Sequence, residues 1–222
     1  MLRKPTQPPS ARLIPAMDEV EEFCLRVLGA RELAADAAQR ARAETNGDDR
    51  IALLRTAVLE CRERADRRNE DTLVRDDDLV QDDETAAGST GLAASVAREL
   101  ADSTARLPER QREALALREL LSLSHEQIAR VLGINAAAVA PLLARARLRL
   151  RAERRGSAVE QDPRCEHRER ALRILASRQD SQPVSAQDNG WVLAHMAECP
   201  SCDTAHAAML EASVCYRAWP RE

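Results

Sequence analysis

From Met17 onward apolar residues recur at helical spacing: Val20, Phe23, Cys24, Val27 and Leu28 form one stripe, and Gly29 stands where a C-cap belongs. A second helical run covers Arg31 to about Ala43 and stops at Thr45-Asn46-Gly47-Asp48. A third spans about Asp49 to Arg67, with Ile51, Leu54, Val58 and Cys61 on one face. The stretch NEDTLVRDDDLVQDDETAAGSTG that follows is acidic and poor in hydrophobes, which reads as a linker. Helical spacing resumes from Leu92 to Thr104.

Residues 107–155 carry the sharpest local grammar. Leu107-Pro108-Glu109-Arg110 opens a helix, with proline at its first turn. Leu115, Leu117, Leu120 and Leu121 supply a buried stripe. Ser124-His125-Glu126-Gln127 fits a capping box ahead of Ile128, Ala129, Val131 and Leu132. Gly133 ends that short helix, and Asn135 caps the next, which continues through ARARLRLRAERR. A short helix, a glycine turn and an arginine-rich helix make a helix-turn-helix; a helical hairpin that binds no DNA is the alternative. Further helices are predicted from about Arg164 to Arg178, around Trp191 to Met196, and from about Thr204 to Ala218. No useful strand-like alternation occurs, so the predicted fold is all-α. Its parts are a flexible tail at 1–16, a helical domain at 17–68, an acidic linker at 69–91, a helix-turn-helix domain at 92–155 and a last domain at 156–222.

Charge sharpens this division. The chain of 222 residues carries a net −4, but residues 18–105 carry −10 and residues 106–155 carry +6. A basic block between acidic ones marks either a nucleic-acid face or a surface that acidic neighbours cover. Lys4 is the sole lysine, and arginine and alanine abound, the bias of a GC-rich bacterial genome. Phe23, Trp191, Tyr216 and Trp219 are the only aromatics, so the core must be built from Leu, Ala, Val and Ile. Neither a membrane span nor the apolar segment of a signal peptide is visible, which points to a cytoplasmic protein without a membrane partner.

His195-Met-Ala-Glu-Cys199-Pro-Ser-Cys202 places three soft ligands at H-x3-C-x2-C spacing, and Cys165 lies upstream as a fourth, with His167 as the competing first ligand. Zinc takes such donors tetrahedrally, and a closed Cys3His set leaves no position for a reacting water. The site therefore reads as structural or switching. Cys24 and Cys61 sit in amphipathic stripes and read as small buried hydrophobes. With no phosphate-binding glycine loop and no nucleophile beside the four histidines, neither an enzyme nor a small-molecule substrate is expected.

LPERQREALALRELLSLSHEQIARVLGINAAAVAPLLARARLRLRAE resembles region 4 of the extracytoplasmic-function sigma factors. Gly29, Arg31, Glu32, Ala34, Asp36 and Gln39 resemble that family's region 2, which implies Asp36 and Gln39 as contacts to the RNA polymerase core. The segment holding Cys165, His195, Cys199 and Cys202 is similar to the zinc-binding anti-sigma domain. In that family such domains insert helices between sigma regions 2 and 4, and some lose zinc on oxidation. The resemblance implies a regulator of transcription initiation acting on polymerase, or on a sigma or anti-sigma partner, with Zn2+ in its last domain and control in cis.

This chain departs from the sigma pattern where DNA would be read. Ala136-Ala137-Ala138-Val139-Ala140-Pro141-Leu142-Leu143-Ala144 offers no side-chain donor or acceptor to base edges. Pro141 is expected to kink or shift the helix. Asn135, Arg145, Arg147, Arg149 and Arg151 remain as DNA-contact candidates, the arginines through phosphates, which position without specifying. Two further readings stay open: a degenerate sigma that serves as an adaptor or antagonist without reading DNA, and a zinc-thiol redox switch.

Overall fold

Asp18 accepts hydrogen bonds from the backbone N–H groups of Val20 and Glu21, both at 3.0 Å, and so starts α1 (Glu19–Leu28), which Gly29 ends at φ 71°. The computed structural model describes residues 18–45, 49–75, 92–156 and 165–220. The expected tail at 1–16 and most of the expected linker, residues 76–91, lie outside them. The helices that follow are α2 (Arg31–Glu44), α3 (Arg50–Arg75), α4 (Leu92–Ala105) and α5 (Glu109–Leu115), the last continuing into a π-helical turn at Ala116–Leu120. Next come α6 (His125–Leu132), a 3-10 turn (Ala136–Ala138) and α7 (Val139–Arg155). α8 (Arg168–Gln179), α9 (Ala186–Glu198) and α10 (Pro200–Arg217) complete the chain. Every regular element among the described residues is helical, as the spacing predicted.

Local chemistry explains most boundaries. Ser124 and Gln127 form the predicted capping box, with Gln127 N donating to Ser124 Oγ at 3.2 Å and Ser124 N donating to Gln127 Oε1 at 2.9 Å. α3 runs past the expected end at Arg67 into the segment read as linker, and the Glu63–Arg67 pair one turn apart supports it. α10 starts at Pro200, ahead of the expected Thr204, because proline suits the first helical position. Pro141 does not kink α7. The chain leaves Asn135 as a 3-10 turn, α7 proper begins at Val139, and Pro141 falls in its first turn, where backbone N–H groups have no intrahelical acceptor to lose.

Two hydrophobic cores organise the packing. The first joins α1–α3 (Phe23, Cys24, Ala37, Leu54, Cys61) to α5–α7 (Leu115, Ile128, Leu143, Leu150). Arg62 of α3 clamps this junction by gripping the buried Glu113 of α5 with two hydrogen bonds, at 2.8 and 2.7 Å. The second core holds α8, α9 and the start of α10 together (Leu172, Ile174, Leu175, Val192, Met209). α10 belongs to both: Cys202, Ala205 and Met209 lie in the second core, Ala212 and Tyr216 in the first.

Candidate functional site

α7 is the second helix of the helix-turn-helix, and it is buried on two sides. Val139, Leu143, Ala146 and Leu150 face the first core. Ala140 and Ala144, one turn apart and only 5% and 1% exposed, face the second, with Leu148 packed beside them. The alanines that withhold base-edge contacts are therefore the surface on which α8 and α10 lie. Small side chains let helix axes approach closely. Ala136, Ala137 and Ala138, at the front of the same helix, stay exposed.

Arg147 sits on the seam between these stripes with no exposed surface. Its Nη2 donates to Glu119 Oε1 at 2.6 Å and to Asp180 Oδ1 at 2.5 Å, and its Nε donates to Glu119 Oε1 at 3.0 Å. Glu119, in the π-helical turn, also accepts from Ser213 Oγ at 2.7 Å and from Arg217 Nε at 2.6 Å, both on α10. Asp180, just past α8, also accepts from Arg118 Nε at 3.0 Å and pairs with His125 Nε2 at 2.9 Å. Burial by itself would raise the Asp180 carboxyl, but hydrogen bonds from His125 and Arg147 and the charges of Arg147 and Arg118 outweigh it and hold the pKa at about 2. The network ties the helix-turn-helix to the C-terminal helices.

The other DNA-contact candidates are distributed differently. Asn135 is exposed, and its Oδ1 accepts from Ala137 N at 2.8 Å to cap the 3-10 turn. Arg145 is exposed. Arg149 lies 3.6 Å from Glu153, and Arg151 pairs at 3.2 Å with Glu211 of α10. Arg147, expected at phosphates, is instead internal. Of the polymerase-contact candidates on α2, Gln39 is exposed, and Asp36 is half-exposed but held by Arg64 at 2.6 Å.

At the far end of the second core, Cys165, His195, Cys199 and Cys202 converge, with all four ligand atoms within 4.8 Å of one another. Cys165 Sγ lies 3.4 Å from His195 Nε2 and 3.7 Å from Cys202 Sγ. Zn–S bonds near 2.3 Å in a tetrahedron set ligand sulfurs roughly 3.8 Å apart, so this cluster can hold a metal ion and is compatible with zinc. The helices position it through the break between α9 and α10: Cys199 is extended (φ −120°, ψ 92°), as the residue before Pro200 must be, so His195 and Cys202 turn inward from the two sides of a bend. The His167 ring is outside the ligand set and packs edge-on beside His195, centroids 5.9 Å apart. Trp191 stacks on His195 at 5.1 Å, and the Arg170 guanidinium lies over the Trp191 ring, 4.0 Å from its centroid. Backbone N–H donation from Cys202 lowers the Cys199 thiol, whereas desolvation pushes the buried Cys202 thiol up to about 12. A divalent cation supplies the charge that a buried thiolate lacks.

Residues 97–150 match the family model for Sigma-70, region 4. They form a sigma-70 region 4 domain. The match runs from α4 into α7, so α8–α10 and the metal cluster lie beyond it. No curated protein matches the chain. Among the described residues no single helix is long and apolar enough to cross a membrane.

Two arginines two residues apart on α7 should behave oppositely. Arg147→Ala leaves Glu119 and Asp180 buried and short of a partner, and is expected to cost about 3–5 kcal/mol in urea unfolding. Arg145→Ala should change stability by less than about 0.5 kcal/mol. The Asp180 pKa of about 2 lies below the ordinary 3.8, so its stabilisation is complete above pH 4 and is lost as pH falls through 2. Between those limits the wild type should lose more stability than Asp180→Asn; equal acid titrations of the two would refute the assignment.

Proposed function

We propose that this chain is a sigma-factor-like regulator of transcription initiation that is restrained in cis by its own C-terminal helices. The region 4 domain supports the regulatory role, since domains of that family contact RNA polymerase core and promoter DNA, and the family is not enzymatic. The restraint rests on one observation: the Ala140–Ala144 face of α7 lies under α8 and α10. In this reading α1–α3 act as a region 2-like unit at residues 17–68. The C-terminal unit acts as an anti-sigma-like clamp, with α10 reaching between the two sigma-like parts through Ala212 and Tyr216.

Zinc is the proposed ion, held by Cys165, His195, Cys199 and Cys202. Five of the eleven buried residues of the second core are alanines, so that core removes little apolar area from water. A unit this small needs a staple, and a structural metal is one of the few available. The ion's part is to tie the ends of α8, α9 and α10, not to activate water.

The adaptor reading keeps a specific support: exposed Ala136–Ala138 offer no base contacts, Arg147 is paired in the interior, and Arg151 is paired with Glu211 of α10. Promoter DNA should therefore bind the full chain weakly, with a salt slope corresponding to no more than one or two phosphate contacts.

The restraint is tested with purified core RNA polymerase and the immobilised full chain. Ile174→Asp places a carboxylate in the second core and should increase polymerase retention tenfold or more. If neither protein retains core polymerase, the sigma-like reading fails and the adaptor reading stands. For the metal, native mass spectrometry should find one zinc per chain, lost in Cys202→Ser. A chelator should lower the melting temperature of the wild type and leave that of the variant unchanged.

A further inference from the structure

The outward face of α10 departs from the pattern of a surface helix, which turns charged and polar side chains to water. Its exposed stripe is Asp203, Ala207, Leu210, Val214 and Arg217, spaced alternately four and three residues apart and so aligned along one face. Among the described residues five large hydrophobics are exposed, and two of them, Leu210 at 44% and Val214 at 65%, stand one turn apart on this stripe. A single exposed leucine is ordinary, whereas adjacent apolar side chains at the centre of a stripe form a patch. The opposite face of the helix is already occupied: Cys202, Ala205, Met209, Ala212 and Tyr216 fill the two cores. Glu211, held by Arg151 at 3.2 Å and by Arg155 at 2.7 Å, gives the patch a polar rim on one side.

The charges that end the stripe decide what fits it. Asp203 and Arg217 lie at equal distances on either side of Leu210, roughly 10.5 Å each way along the helix axis. A two-fold interface brings one surface onto itself, so that residue i meets j while j meets i. With the axis through Leu210 and the two helices antiparallel, each Asp203 faces the other copy's Arg217. Each Val214 then falls beside His206 and Ala207 of the other copy, where the small alanine leaves room for a branched side chain. A parallel pair would set Asp203 against Asp203 and Arg217 against Arg217. Arg217 donates through Nε to the buried Glu119 at 2.6 Å while half its side chain stays exposed, so it is held in place before a second copy arrives.

We propose that this stripe is a self-association surface: two copies of the chain pair through antiparallel α10 helices, Leu210 against Leu210, with two Asp203–Arg217 ion pairs closing the ends. A contact confined to one helix of each copy stays below the roughly 1,200 Å² of a standard interface, so the dimer is weak and reversible. The pairing uses neither core and requires no rearrangement of either copy.

Sedimentation velocity on the full chain from about 5 to 500 µM tests the pairing. The average mass should rise with concentration from 24.6 kDa toward twice that value. Val214→Glu should weaken dimerisation tenfold or more at an unchanged melting temperature. Leu59→Glu charges a comparably exposed position on α3 and should leave dimerisation at the wild-type value. Asp203→Arg should weaken it about threefold or more, with a larger effect at low salt. Oxidative cross-linking on a non-reducing gel reads the register against the wild-type background. Leu210→Cys should give a covalent dimer, and Val214→Cys should not, because antiparallel helices set the two 214 positions roughly 12 Å apart, beyond disulfide reach. A chain that stays at 24.6 kDa throughout would overturn the proposal and leave the stripe to a different protein. Equal weakening by Leu59→Glu and Val214→Glu, or equal cross-linking at 210 and 214, would overturn it as well. None of these readings depends on whether polymerase is retained.

Discussion

The buried guanidinium of Arg147 is the constraint on which the arrangement of the C-terminal half depends. A charge with no exposed surface is tolerable only when its partners are close and themselves satisfied. Glu119 and Asp180 meet that condition, and each is held in turn by groups from a different direction: Ser213 and Arg217 of α10 on Glu119, Arg118 and His125 on Asp180. The π-helical turn, α6, α7, the end of α8 and α10 are thereby fixed around one point. Moving the C-terminal helices away from α7 would strand several charges at once, so the closed arrangement is specified by polar chemistry as well as by apolar contact.

That point also governs what the helix-turn-helix can do. An α-helix presents a limited number of faces, and α7 gives one to its own domain's core and another to α8 and α10. Alanine at 140 and 144 serves close helix packing and offers nothing to a base edge. The same substitutions that weaken a reading of sequence-specific DNA binding thus acquire a positive physical role. α10 extends the coupling: it is roughly 27 Å long at 1.5 Å per residue, with the metal cluster at its first turn and Tyr216 in the first core at its last. What holds its beginning therefore bears on what its end does between α1 and the π-helical turn.

Features with short-range causes were legible along the chain. The Ser124–Gln127 capping box, the Gly29 and Gly133 helix ends and the H-x3-C-x2-C spacing each depend on residues a few positions apart, and the structure shows all three. Cys165 needed more reach, and its convergence with His195 comes from the packing of α8 against α9. Pro141 was expected to kink or shift the helix, and which it does depends on where the helix begins: after the 3-10 turn that follows Asn135, α7 starts at Val139 and runs unbroken past Pro141. Asp180 carried no signal at all: within SRQDSQPVSAQDNG it looks like any solvated loop carboxylate.

The residues by themselves determined an all-helical chain, a region 4-type helix-turn-helix and a candidate Cys3His metal site, because periodicity, caps and ligand spacing are written over a few turns of helix. Only the tertiary structure decided that Arg147 turns inward while Arg145 faces solvent, that the alanine face is covered, and that Arg26 pairs with Glu22 against the Trp219 ring. The physical reason is that an arginine on a helix carries the same local pattern whether it faces water, phosphate or a buried carboxylate. Which it meets is set by the partner that long-range packing brings to that face.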